Sequence, residues 1–500
     1  MKKEEKKINI CKSLPDIFEL IGKMEQRFPV DSIELSDGTK LWNLIRVLLY
    51  FYPLKEGING NAESFTLKTV LYHLRESFSP LKISNKKIDF CGFSDTESRK
   101  FRDGKFYDIY MDPFYEMLGD SFFVFEWPTP AGYRREYRGK IYSKNYVPMH
   151  IPVFSKTFFN LGIYTLLKRK KFTIKSEMLL QDIILFFSKN TRINKNKLMR
   201  EIYDAIAVFF YLKEFFVTLL LNIQPKAVLI RCGYGRVHMA LSQACSELGI
   251  PAVELQHGII TKYGAGYVKS TESDNRDCVP VYLLTYGDVF TDIVRKGNLF
   301  NREKVITVGF PYIEELKEAP LSVDKRLKDF ISKFSVNLLI TSQWTVADEI
   351  KTFIIEMSKE LGGNIGIVYK PHPRDWRTYT DMKKYGNIFL TDKYDDIYEI
   401  LKVVDIHSTV YSTTGIEALA FGKPNIFIDL MGKTNIREII DIVDNRTSFM
   451  TVSPPQFIET LEYIISNYKS VSRAALKTSE AFFKPNAKKN FENFLNSIDK

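Results

Sequence analysis

IHSTVYSTTGIEALAFGKPNIFIDL, residues 406–430, decides the fold. β-Branched residues at its start (Ile406, Thr409, Val410) predict a short strand over 406–412. TGIEALAFG (414–422) then predicts a helix that Gly422 stops, and KPNIFIDL (423–430) a second buried strand. Strand, helix and strand in so short a span make a βαβ unit, which requires a parallel sheet.

The same alternation continues upstream. NLLITSQW (337–344) predicts a strand with its loop, ADEIKTFIIEMSKELGG (347–363) a helix with a glycine stop, and NIGIVYKPHP (364–373) a strand. GNIFLTD (386–392) adds another strand and DDIYEILKVVD (395–405) another helix. A separate alternation runs from PKAVLIRC (225–232) through RVHMALSQACSELG (236–249) to IPAVELQHG (250–258), then VYLLTYGDVFTDIVRKG (281–297) and EKVITVGFP (303–311). The chain of 500 residues thus predicts an α/β protein with two Rossmann-like domains. Their boundaries are read as 1–310, with an aromatic-rich extension at the start, a linker at 311–335 containing the polar helix SVDKRLKDFISKF, a second domain at 336–470, and a C-terminal helical segment at 471–500.

The first 130 residues hold fewer signals: helical spacing at 40–52 and 64–78, and a strand at 86–93. AIAVFFYLKEFFVTLLLNI (205–223) is interrupted by Lys213 and Glu214, which predicts a buried or interfacial helix rather than a membrane span. Five scattered cysteines without CxxC pairs disfavour a disulfide framework or a zinc site, and the charged N-terminus has no secretory pattern. A reducing, cytoplasmic setting is expected. The formal charge is +11, and residues 156–200 carry eleven Lys and Arg against Glu177 and Asp182. That stretch predicts either a solvated basic face or a contact with an anionic membrane surface. No nucleic-acid motif accompanies the charge, so nucleic acid is not an expected partner.

Three constellations carry chemistry. In YKPHPRDW (369–376), Pro371 and Pro373 fix the backbone around His372, and Lys370 and Arg374 add positive charge suited to a leaving phosphate. In HSTVYSTTGIEA (407–418), Ser408, Ser412, Thr413 and Thr414 crowd a loop whose helix begins at Thr414 or Gly415, a combination suited to anions. Glu417 either accepts hydrogen bonds from ribose hydroxyls or is the capping-box partner of Thr414. In ELQHGIITKYG (254–264), His257 is either a general base or a hinge and packing histidine. Gln343 follows the first strand of the second domain and is a further donor-side candidate. Arg134, Arg135 and Arg138 in PAGYRREYRGK (130–140) would grip an acidic acceptor or form an exposed basic loop. The G-x-G of RCGYGRVH (231–238) has His238 where a third glycine belongs, so it predicts a tight turn rather than a dinucleotide site. D-x-D, P-loop and G-x-S-x-G patterns are absent from the sequence.

Together, QHG, KPHPRD and S-T-x-x-S-T-T-G-I-E-A-x-x-x-G-K-P resemble the two-domain GT-B glycosyltransferases of bacterial surface-polysaccharide synthesis. They are most similar to the CDP-glycerol glycerophosphotransferases and the sialyl-, polysialyl- and Kdo-transferases that use CMP-sugars. The resemblance covers about 225–430 and implies two domains facing across a cleft. It further implies an inverting transfer without metal or other cofactor, from a nucleotide-activated, cytidine-linked donor to a glycan or lipid-linked glycan. Under it, His372 and the run Ser408, Ser412, Thr413 and Thr414 hold the donor phosphate and nucleotide, and His257 deprotonates the acceptor; read from the residues themselves, His372 is catalytic in stabilising or protonating the leaving phosphate, and Lys370, Arg374, Gln343, Gly415 and Glu417 complete the donor side. It also implies a place in the cytoplasm, peripheral at the inner face of the plasma membrane. The S-x-x-G-I-E-A-x-x-x-G-K-P pattern is also similar to UDP-N-acetylglucosamine 2-epimerases, an alternative activity. A glycan-binding subunit of a capsule assembly complex is the non-catalytic alternative.

Overall fold

The computed structural model describes residues 13–56, 88–95, 98–102, 104–127, 141–149, 173–344, 346–373, 375, 377–392, 395–430 and 443–498. The helix expected at 64–78, Arg134, Arg135, Arg138, Arg374 and residues 156–172 of the basic stretch lie outside them. The chain divides into two compact units. The first is Met1–Thr285 with Thr291–Ile306 and Glu492–Lys500; the second is Tyr286–Phe290 with Thr307–Phe491.

Among the described residues the first unit contains eleven strands: β1 (Glu34–Leu35), β2 (Phe90–Asp95), β3 (Arg99–Arg102), β4 (Lys105–Asp108), β5 (Phe122–Trp127), β6 (Tyr146–Pro148), β7 (Ile174–Lys175), β8 (Ala227–Ile230), β9 (Ala252–Leu255), β10 (Tyr282–Thr285) and β11 (Val305–Thr307). Seven of them form one sheet in the order β11-β10-β9-β8-β2-β5-β6. Neighbours from β10 to β6 pair in parallel. The central strands are buried throughout except at Asp95, the C-terminal end of β2, as parallel strands covered on both faces must be. Small antiparallel pairs, β1 with β7 and β3 with β4, flank this sheet.

The 205–223 run is the C-terminal part of one helix, Lys195–Ile223, capped by Asn194. It is long and apolar enough to cross a bilayer, yet half of its most apolar window is buried within the protein. Lys213, 2% exposed, sits on that buried side and is neutralised by Asp37 at 2.5 Å and Glu247 at 3.0 Å. A membrane-facing lysine would have no such partners, and this arrangement fits a core helix packed on Arg236–Glu247.

The second unit contains β12 (Val336–Thr341), β13 (Ile365–Lys370), β14 (Ile388–Leu390), β15 (Ile406–Thr409), β16 (Asn425–Ile428) and β17 (Ser448–Thr451). They form one all-parallel sheet, β14-β13-β12-β15-β16-β17. Strand β17 and the helices Pro454–Ser466 and Tyr468–Phe482 complete the layer beyond the elements read from sequence. The short helix Thr414–Ala420 packs on β16 through Gly415, where a Cβ would stand 2.6 Å from the Phe427 ring. Residues 311–335 contain two helices, the expected polar one at Lys325–Ile331 and a second at Pro311–Glu318. Both sheets thus confirm the doubly wound α/β class.

Candidate functional site

Strand order identifies where each unit presents its chemistry. In the first sheet, chain direction across the sheet reverses between β8 and β2; in the second, between β12 and β15. Loops diverge at such switch points and leave a crevice at the C-terminal ends of the strands.

In the second unit, Thr341 of β12 is level with Lys370 of β13 and with Thr409 of β15. Three loops therefore start side by side, within about 10 Å at ordinary strand spacing. They carry Ser342–Gln343, Pro371–His372–Pro373 and Tyr411–Ser412–Thr413. Gln343, His372, Ser412 and Thr413 are all half-buried, so each is within reach of a ligand. Lys370 is buried at the strand end, with its charge acting on Asp395.

The His372 loop is tied from within. The Asp375 amide donates to the His372 carbonyl at 2.8 Å, and the buried Asp375 carboxylate takes the Tyr379 hydroxyl and Arg377. Arg377 also reaches Asp348 and the Trp344 carbonyl, each at 3.0 Å, so it joins the β13 loop to the Gln343–Trp344 loop. Arg377 was not among the sequence candidates.

Several expected donor ligands serve the scaffold instead. Ser408 is fully buried and donates to the Ile426 carbonyl at 2.7 Å, stitching β15 to β16. Thr414 pairs through its hydroxyl with Thr341 at 3.0 Å, and Thr341 pairs with His407 Nε2 at 3.0 Å. His407 Nδ1 meets Asn425 Oδ1 at 2.7 Å, and Asn425 donates to the Gly415 carbonyl at 2.6 Å. Burial lowers the His407 pKa to about 4, so this core histidine is neutral. Gly415 lies against the sheet, where a Cβ would press on the Phe427 ring. The capping box is not formed: Thr413 is the N-cap, and Glu417 accepts from Tyr398 at 3.1 Å.

In the first unit, Phe93, Ile230 and Glu254 lie level across β2, β8 and β9. Just beyond them, Asp95 is ion-paired with Arg231, each about one-sixth exposed. Tyr110 joins the two loops: its ring lies 5.6 Å from the Arg231 guanidinium, and its hydroxyl donates to the His257 carbonyl at 3.2 Å.

His257 is enclosed by two tyrosines. Tyr234 hydroxyl stands 3.1 Å from Nε2 and Tyr267 hydroxyl 3.1 Å from Nδ1. Burial, reinforced by Arg231 and His238, lowers the imidazole pKa to about 3. Behind it lies Glu254, fully buried, with an oxygen 3.9 Å from Nδ1; burial raises its pKa to about 8. The tight turn at 231–235 has a physical cause here, because a Cβ on Gly233 would strike the Glu254 carboxyl. Arg46 fixes the loop that carries Tyr267 by donating to the Ala265 carbonyl at 2.5 Å and the Val268 carbonyl at 2.7 Å.

Glu254, Tyr234, Tyr267, Asp95 and Arg231 were not read from sequence. One signal was available: Glu254 is a lone carboxylate inside the apolar strand AVEL, and an acidic residue rarely enters such a strand without a task. Among the described residues, no group of three His, Cys, Asp or Glu side chains is arranged to hold a metal.

No family model and no curated protein matches the sequence. The structure is similar to a UDP-N-acetylglucosamine 2-epimerase at 14% identity and TM-score 0.51, covering 83% of this chain and 97% of that one. It is also similar to S. aureus MnaA in complex with UDP, at 12% identity and TM-score 0.50, covering 83% and 98%. The wall teichoic acid polymerase TagF aligns at 12% identity and TM-score 0.47, covering 82% and 89%. At such identities the likeness is one of fold. The chain has the GT-B architecture of two Rossmann-like α/β domains.

Proposed function

We propose that the chain is a glycosyltransferase or glycerophosphotransferase that uses a nucleotide-activated, cytidine-linked donor to extend a bacterial surface glycan. The observation that carries this reading is the level start of the three loops of the second unit. They gather His372, Gln343, Ser412 and Thr413 at one switch point. A phosphate placed there would meet an imidazole held between two prolines, hydroxyls and the nearby Arg377. Arg374 belongs to the same loop by sequence. His372 would stabilise the leaving phosphate, and removing one such positioned group typically costs about 10²–10³ in rate. The first unit would supply the proton acceptor for the acceptor hydroxyl, giving an inverting transfer without metal. The acceptor is a glycan or lipid-linked glycan, which fits a cytoplasmic enzyme peripheral to the membrane.

Incubation with CMP-, CDP- and UDP-activated donors, with and without a glycan acceptor, separates the readings. The transferase releases nucleotide only when acceptor is present and keeps its rate in EDTA. Interconversion of a UDP-sugar without acceptor would establish the epimerase activity in its place. Absence of turnover with every pair, alongside glycan binding, would leave the non-catalytic subunit.

A further inference from the structure

Resting on the reading that the second unit holds the donor phosphate, we infer that Arg377 is a positioning residue for that site. It braces the His372 loop against the Gln343–Trp344 loop, and its effect on the donor passes through them.

The two loops leave adjacent strands and are joined at their roots, where the Ser342 amide donates to the Lys370 carbonyl at 3.0 Å. That bond is the last step of the β12–β13 ladder. Farther out, one side chain spans both loops. Arg377 donates from Nε to the Asp348 carboxylate at 3.0 Å, and from Nη1 to the Trp344 carbonyl at 3.0 Å and to Asp375 at 3.2 Å.

Each end of this brace is anchored. Asp375 is 3% exposed, takes the Tyr379 hydroxyl, and accepts the Arg377 amide at 3.0 Å. Its own amide closes the turn onto the His372 carbonyl at 2.8 Å. On the other side, Asp348 belongs to the first turn of the helix Ala347–Glu360. The Gln343 carbonyl is used as well, by the Val346 amide at 3.1 Å. The backbone of both loops is thus held at root and tip. An arginine suits this place, because its planar fork presents several donors in a fixed geometry, whereas a lysine ammonium is a single point of charge. Groups held in place before a ligand arrives need not be ordered when it binds.

Two roles for Arg377 predict opposite signs at Asp348. If Arg377 were a direct phosphate ligand, Asp348 would compete for it. Removing that carboxylate would release the guanidinium and take negative charge away from an anion site, so affinity would hold or rise. As a brace, Arg377 needs Asp348 as its anchor. Removing the carboxylate then slackens the loops, and affinity falls against the change in charge. The Asp348 side chain is 64% exposed and that of Arg377 24%, so their ion pair contributes little to stability.

The test is calorimetric titration of the full chain with CDP, and with UDP in parallel, beside melting temperatures without ligand. Asp348→Asn should weaken CDP by about three- to tenfold and Arg377→Lys by about tenfold, while Asp348→Glu, which restores the carboxylate, should stay within about twofold of the wild type. The melting temperature of Asp348→Asn should fall by at most about 4 °C, so that lost affinity is not lost fold. Because Asp348 is exposed, this variant covers the case in which Arg377→Lys does not fold. Affinity that is unchanged or higher in Asp348→Asn overturns the inference, and so does full affinity in Arg377→Lys. A wild type that binds neither nucleotide defeats the donor-site reading itself and this inference with it, and the wild-type titration tells the two failures apart.

Discussion

The two switch points are built from the same elements and reach opposite solutions. In the first unit, polar groups turn inward: His257, Tyr234 and Tyr267 satisfy one another above a buried carboxyl. In the second, the inward groups (His407, Thr341, Thr414, Asn425, Ser408) form scaffold, and His372, Gln343, Ser412 and Thr413 sit half-buried at the starts of the loops. Low local dielectric strengthens the hydrogen bonds of such an inward-turned network. A half-open set of donors suits a charged, exchangeable ligand.

The sharpest break of this comparison is kinetic. His257→Gln should slow transfer by about 10²–10⁴, the usual worth of positioned proton transfer, while leaving nucleotide binding to the second unit intact. Turnover and nucleotide-induced melting shifts measured on one preparation check both halves.

The pH dependence of stability should differ between units by a few kcal/mol. Glu254 and Asp112 in the first unit are raised to about 8 and 7, chiefly by burial. Their folded forms bind more protons than the unfolded chain, so their contribution is complete below about pH 4 and is lost as pH rises through 7–8. His407 in the second unit is lowered to about 4, so the unfolded chain binds the extra proton. Its contribution is complete above pH 6.5 and is lost as pH falls toward 4. Hydrogen exchange in β8 and β9 should accelerate from pH 6.5 to 8.5 after correction for intrinsic rates, while β12 and β15 should not. Uniform behaviour in both sheets would count against the pKa shifts.

Two glycines extend the contrast at about 1–3 kcal/mol each, the usual cost of overpacking. A Cβ at Gly266 would strike the Tyr234 ring, and one at Gly415 would meet the Phe427 ring at 2.6 Å. Gly266→Ala should perturb the His257 resonances as well as the melting temperature; Gly415→Ala should lower the melting temperature only. The smallest effect lies outside both sites. Charge reversal at Lys189, Arg192, Lys197 and Arg200 should weaken binding to phosphatidylglycerol vesicles by about 1 kcal/mol per residue at low salt. Sedimentation that is unchanged by these substitutions would remove this surface as the membrane contact.

Legibility followed locality. The βαβ units of 225–311 and 337–430 were readable because each strand and helix carries its own period and its own stop, as Gly249 and Gly422 show with their positive φ. Strands β5 and β6 were missed because aromatic-rich segments such as FFVFEW lack alternation when buried on both faces. The residues of the C-terminal loops were legible where a motif named them, as at His372. Those that depend on long-range pairing were not: Asp95 meets Arg231 across 136 positions, and Arg46 holds the Tyr267 loop across more than 200. Ser408 and Thr414 looked like ligands because hydroxyls in a loop carry no local sign of which face they take.

The central claim is that the second unit holds an activated nucleotide through the His372 loop, and a melting-temperature panel with CMP, CDP, UDP, GDP and ADP tests it most directly. Ligand that binds the native state raises the melting temperature with the logarithm of its concentration over Kd. The account predicts a rise with CMP or CDP in the wild type that disappears in His372→Ala. Equal shifts in both proteins, or none in the wild type with any nucleotide, would contradict it.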